Sequence, residues 1–169
     1  MAPDQAVTRV GLLTPAGRIR VAAQDGRVIS AGWGLAPDDP ADPVLRRALS
    51  EIRAYFAGTL QQFTVPLRPQ VTGFQARFLA ALADIPFGET RTYGDLAREP
   101  GVPAQTIGQA IGQAIGQAMG QACGANPIPL LIACHRVLGA SGLGGYSGAG
   151  GVETKVALLR REGAGSLLL

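Results

Sequence analysis

Metal ligands and disulfide partners are what this chain has least of. It holds one histidine, His135, and two cysteines among 169 residues. One histidine without a nearby ligand cluster does not furnish a catalytic metal site. Two cysteines make neither a disulfide framework nor a Cys-x-x-Cys zinc pair. That scarcity points to a reduced, intracellular protein with no cysteine-based zinc site, and a cytoplasmic location with no metal and no cofactor is expected. No glycine-rich phosphate loop ending in lysine is present. Aromatic residues are 5% of the chain, and alanines supply much of its 47% hydrophobic content. No basic-then-apolar leader opens it, since Met1 to Gln5 is polar.

Charge is missing from one long internal stretch. Residues 102–134 contain no Asp, Glu, Lys or Arg, and glycine recurs there at every fourth position. Such spacing occurs in membrane helix contacts. Gln105, Gln109, Gln113, Gln117 and Gln121 argue against a span, because each amide would need a partner in hydrocarbon. No membrane association is expected. The net charge of +3 and pI near 9.3 permit a polyanionic partner without demanding one.

The first third of the chain reads as strands and turns. Val7–Leu13 and Ile19–Val21 are strand candidates, Asp25-Gly26 is a hairpin turn, and Val28–Trp33 follows. The spacing of Leu45, Leu49, Ile52, Tyr55 and Phe56 predicts a helix that Gly58 stops. Phe63–Leu67 is one more short strand candidate. From Thr72 the pattern is helical: Phe74, Phe78, Leu79 and Leu82 share a face, and Pro86 ends that helix. Thr92 is placed to cap a short helix through Leu96, and a turn at Pro100–Pro103 precedes a longer one. Short helix, turn and second helix outline a helix-turn-helix. In that second helix a tetrapeptide, QTIG-QAIG-QAIG-QAMG-QACG, repeats five times. Each internal glycine costs a helix roughly 1 kcal/mol relative to alanine. The stripe either lets a backbone approach DNA closely or is a slipped repeat in a tolerant segment.

The chemistry concentrates at Asn126-Pro127-Ile128-Pro129-Leu130-Leu131-Ile132-Ala133-Cys134-His135-Arg136-Val137. A cysteine is a nucleophile as its thiolate, and an adjacent imidazole is a simple way to generate one. A papain-type protease would place its histidine far from the cysteine in sequence. The flanking residues resemble the active-site segment of the O6-alkylguanine-DNA alkyltransferases. The Gly139–Gly145 loop, Gly144-Gly145-Tyr146-Ser147-Gly148, Gly150-Gly151, Lys155, Leu158-Leu159 and Glu162-Gly163 continue the match. Upstream, Gly73-Phe74-Gln75 and Ile85-Pro86-Phe87-Gly88-Glu89-Thr90-Arg91-Thr92-Tyr93-Gly94-Asp95-Leu96-Ala97 belong to it as well.

The resemblance implies an α+β fold. Residues 1–70 would form a small supporting sheet-plus-helix lobe, packed on a mainly helical lobe over 71–169 that carries the helix-turn-helix-like motif. It implies a monomer acting on double-stranded DNA that carries alkylated guanine, bound through the minor groove. The alkyl group of O6-alkylguanine, with O4-alkylthymine as a second candidate, would pass irreversibly to Cys134 after base flipping. His135 would deprotonate Cys134 through a water, with Glu162 orienting His135. Tyr93 would donate to the leaving base, and Asn126 would tie the helix-turn-helix to the active-site strand. Tyr146 and Ser147 would line the alkyl pocket. Arg136, mainly structural in the family, Val137 and Lys155 complete the DNA- and substrate-side candidates. Read alone, Glu162 is more readily a solvated helix-end charge and Val137 more readily core than contact, while core packing competes with the role of Tyr93 and Lys155 can meet either phosphate or water.

Three departures accompany the match. The family's intercalating arginine corresponds to Gln117, which lacks the planar cation and so predicts weaker base extrusion. The segment 103–126 is about eight residues longer than expected, roughly 12 Å of helix. Ala133 replaces the proline before the cysteine and leaves the thiol's placement less constrained, while Ala149-Gly150 interrupts the Gly-Tyr-Ser-Gly-Gly block. Two other functions are compatible with parts of this pattern. One is a lesion-binding alkyltransferase-like protein without transfer; such proteins lack the cysteine and keep the arginine. The other is a degenerate relative that does not bind DNA.

Overall fold

The computed structural model describes residues 6–37, 42–96, 126–138 and 152–163. The chain divides into two compact units, Met1–Gln70 with Pro127–Leu131, and Val71–Asn126 with Ile132–Leu169.

In the first unit β1 (Thr8–Thr14), β2 (Gly17–Gln24) and β3 (Arg27–Trp33) form an antiparallel sheet in sequence order. Asp25 and Gly26, at φ 53° and 73°, make the β2–β3 turn. Two left-handed residues in succession give a loop whose twist matches that of its strands. Val10, Ile19, Val21 and Val28 are fully or almost fully buried. The helix α1 (Pro43–Ala57) packs on all three strands and contributes Leu45, Leu49 and Ile52 to the core. Its start follows from Asp42, whose carboxylate accepts the Val44 N–H at 2.9 Å, and from Pro43, whose missing N–H costs nothing in the first turn. Gly58, at φ 82°, ends it as expected.

The strand expected over Phe63–Leu67 is instead a single bridge, Val28 to Leu67. Val28 N–H donates to Pro66 O and Arg68 N–H to Val28 O. Pro66 has no N–H with which to extend a ladder. Pro127–Leu131 joins this unit through a 2.8 Å bond from Ala31 N–H to Pro127 O, with Ile128 and Leu130 buried.

The second unit begins with α2 (Gly73–Ala83), which buries Phe78, Leu79 and Leu82; Phe74 is half-buried and stacks on Phe78. The helix stops at Asp84, because the residue before Pro86 is disfavoured in helical geometry. β4 (Arg91–Thr92) leads into α3 (Tyr93–Leu96). Thr92 caps α3 as anticipated. Its Oγ1 accepts the Asp95 N–H at 3.1 Å, and the Asp95 carboxylate accepts the Thr92 N–H at 2.9 Å. β5 (Val137–Leu138) pairs in parallel with β4, and α4 (Val152–Arg161) follows. The glutamine-glycine repeat and the second helix of the helix-turn-helix lie outside the described residues. Among those described, no helix is long and apolar enough to cross a membrane.

Candidate active site

A sequence of tight turns delivers the thiol. Ile132 O accepts two hydrogen bonds, from Asn126 Nδ2 at 2.9 Å and from Cys134 N–H at 2.8 Å. The second closes an inverse γ-turn whose central residue, Ala133, sits at φ −81° and ψ 65°. That φ lies close to the value a proline ring would impose. Ala133 therefore holds the backbone that its substitution for proline was expected to loosen. Cys134–Arg136 then form one 3₁₀ turn, closed by Arg136 N–H to Ala133 O and Val137 N–H to Cys134 O. Cys134 is a buried thiol outside any disulfide.

His135 is completely buried, and its Nε2 lies 2.6 Å from Glu162 Oε2. Glu162 directly follows α4, anchored by Glu162 N–H to Leu158 O and by the left-handed Gly163, while Leu158 and Leu159 hold the helix in the core. The carboxylate also accepts from Arg136, Nε to Oε1 at 2.7 Å and Nη2 to Oε2 at 3.1 Å. The solvated-charge reading of Glu162 is therefore excluded, its side chain being fully buried. Burial works to raise its pKa, yet the hydrogen bonds and charges of His135 and Arg136 outweigh it and hold the carboxyl at about 2.

For His135, burial comes first and pushes its protonation below the usual histidine range. Glu162 opposes that shift, and the cations of Arg136 and Lys155 add to it. The resting imidazole is neutral beside an ionised carboxylate. An ionised carboxylate only accepts, so Nε2 carries the proton and Nδ1 the lone pair. Nδ1 is buried, with no hydrogen-bond partner among the described residues.

Lys155 was a candidate for phosphate. It is instead fully buried, and its Nζ donates to Val137 O at 2.6 Å. An ammonium group held inside by a backbone carbonyl does not reach a duplex. Arg136, grouped with the DNA-side candidates, is turned inward as well: its Nη1 donates to Ile85 O at 2.7 Å, and its guanidinium lies 5.9 Å from the Phe87 ring centroid. Val137 is fully buried, a core residue and not a contact. Tyr93 begins α3 directly after Thr92, the residue that pairs with Leu138; its side chain is outside the described part. Gln117, Tyr146 and Ser147 lie outside the described residues.

The sequence reading missed the pairing of Arg136 with Glu162 and the part of Phe87, Gly88 and Ile85 in holding it. Gly88, at φ 84°, passes so near α4 that a Cβ there would lie 3.2 Å from Glu162 O. The one available signal was the glycine after Ile-Pro-Phe, which marks a turn without naming its neighbour. Among the described residues no three His, Cys, Asp or Glu side chains gather as a metal-binding group.

With this geometry in hand, the chain can be compared with known proteins. It is 39% identical over 170 residues to the methylated-DNA--protein-cysteine methyltransferase of Mycolicibacterium paratuberculosis, across 95% of this chain and 93% of that protein. Its identity to the protein of the same name from Methanosarcina acetivorans is 43% over 122 residues, covering 70% and 69%. The crystal structure of Mycobacterium tuberculosis O6-methylguanine methyltransferase superposes with a TM-score of 0.78 at 34% identity, covering 94% of each chain. That of Mycobacterium tuberculosis OGT in complex with DNA gives 0.76 at 35% identity, covering 92% of each. The 6-O-methylguanine DNA methyltransferase ribonuclease-like domain matches residues 12–69 and the DNA binding domain of the same family residues 73–164, so the chain belongs to the 6-O-methylguanine DNA methyltransferase family.

Proposed function

We propose that the protein repairs DNA by direct reversal, moving the alkyl group of O6-alkylguanine onto Cys134 in a single turnover. The observation that carries this reading is the state of His135: Nε2–H faces an ionised Glu162 at 2.6 Å, so the buried Nδ1 is left as a base in the same turn as the thiol. Thiol ionisation passes the Cys134 proton through one water to Nδ1. The imidazolium so formed is balanced by Glu162. The thiolate attacks the alkyl carbon; the S–C bond forms, the C–O6 bond breaks, and its electron pair enters the purine. Tyr93 supplies a proton or hydrogen bond to the departing base. The alkylated base is itself the donor, and no step regenerates the thiol.

The DNA binding domain match and the likeness to a relative crystallised with DNA support duplex DNA as the partner. Minor-groove binding, with Gln117 filling the vacated stack and Tyr146 and Ser147 at the alkyl group, follows the family resemblance. The protein acts as a monomer in the cytoplasm. Retention of Cys134 favours transfer over lesion binding alone.

The test is intact-protein mass spectrometry after incubation with a duplex oligonucleotide carrying one O6-methylguanine, beside Cys134→Ala. A gain of one methyl in the parent and none in the variant is expected. No gain, even with excess single-stranded substrate that needs no flipping, overturns the proposal. A salt titration then separates a lesion binder from a protein that engages no phosphate, whose binding would show a slope near zero.

A further inference from the structure

We propose that Arg136 is a positioning residue for the transfer reaction, a fork that fixes the plane and charge of Glu162 and thereby the tautomer of His135. This inference rests on the function proposed above and assigns Arg136 a part in it.

The carboxylate of Glu162 serves two clients. Oε2 takes His135 Nε2 at 2.6 Å and Arg136 Nη2 at 3.1 Å, while Oε1 takes Arg136 Nε at 2.7 Å. A bidentate contact of this kind sets the orientation of both planar groups. Held by His135 alone, the carboxylate could turn about its last side-chain bond and offer either oxygen in either direction. The guanidinium is itself fixed from the far side, by Ile85 O at 2.7 Å and by the Phe87 ring. Orientation therefore runs from the loop that follows α2, through Arg136, to Glu162 and His135.

Charge acts in the same direction. A cation on both oxygens disfavours a proton on Glu162, so the shared proton stays on Nε2 and the lone pair on Nδ1. Lysine supplies a single point of charge and cannot span both carboxylate oxygens while also reaching a carbonyl. The adjacency of His135 and Arg136 in one 3₁₀ turn lets a single carboxylate meet both.

His135 is the sole histidine of the chain, which makes the test unambiguous. The imidazole ¹⁵N shifts of the full-length protein report tautomer and titration. They are measured for the parent, Arg136→Gln, Arg136→Lys and Arg160→Gln, the last removing an exposed arginine near Glu162 in sequence. Transfer from a single-stranded O6-methylguanine oligonucleotide is timed in the same samples.

The parent and Arg160→Gln are expected to hold the Nε2–H tautomer through neutral pH. Arg136→Gln is expected to mix tautomers, to titrate at higher pH because a neighbouring cation is gone, and to transfer at least about tenfold more slowly. Arg136→Lys should keep its titration near the parent's while losing the single tautomer and most of the rate. A folded Arg136→Gln with the parent's tautomer, titration and rate overturns the proposal. Where Arg136→Gln does not fold, parent-like tautomer and rate in Arg136→Lys overturn it instead. If the parent transfers no methyl, the proposed function fails, while the ¹⁵N spectra still decide what Arg136 does to His135.

Discussion

Replacing Glu162 by Gln keeps the shape of the side chain and removes the charge on which the site depends. The carboxyl is held at about 2 against an ordinary 4.5, a gap equivalent to about 3 kcal/mol favouring the ionised form in the folded protein. An amide resembles the protonated acid, so the variant should lose about that much stability, or roughly 6–12 °C in Tm for a chain of this length. The lost charge also matters in the reaction. In the proposed reaction His135 becomes a buried cation on accepting the thiol proton, and a hydrogen bond from a charged donor to a carboxylate is worth about 1.5–3 kcal/mol. Transfer should therefore slow roughly 10- to 150-fold. Quenched single-turnover samples, read by intact mass and collected well below the variant's Tm, give the rate. The reasoning fails if the folded variant transfers within about twofold of the parent, since His135 would then act without its carboxylate.

Further outcomes follow from other contacts. Ala133→Pro should stabilise the protein by about 0.4–1 kcal/mol, because φ is already −81° and the Ala133 N–H donates to nothing among the described residues; differential scanning calorimetry checks it. Asn126→Ala removes the donor to Ile132 O, a carbonyl that also anchors the Cys134 N–H. It should cost about 1–3 kcal/mol in urea denaturation and slow transfer. Acid should act in two steps. His135, whose folded value is lowered, stabilises fully above about 6.5 and loses that contribution below it. Glu162 stabilises fully above 4.5 and loses its contribution as pH falls toward 2. A Tm-versus-pH series should show both slopes in the parent, with the one below 4.5 shallower in Glu162→Gln but still present, since Glu51 remains, whose carboxyl is also lowered, burial being outweighed by its bonds to Thr64 and Val65. Gln117→Arg should raise transfer from duplex substrate more than from single strands, and equal gains on both would deny Gln117 a part in extrusion.

Elements whose causes are local were legible in the chain. Asp25-Gly26 forms its hairpin because two left-handed residues suit that turn. Gly58 ends α1 and Thr92 caps α3, because each meets backbone groups three or four residues away. The strand expected at Phe63–Leu67 shrinks to a single bridge because Pro66 has no N–H, and a ladder needs every donor.

The Cys134-His135 pair was legible directly, since residues adjacent in sequence remain adjacent in space. Tertiary structure alone decided the rest. Glu162 lies 27 positions from His135, and Ile85 lies 51 from Arg136. No local pattern shows that one carboxylate serves both basic side chains. Nor does composition reveal that Lys155 is buried against Val137 O, because a lysine in an amphipathic helix is ordinarily solvated. Those pairings depend on which faces of α4, the 85–88 loop and the 3₁₀ turn meet. Long-range packing and the cost of burying an unpaired charge fix them together.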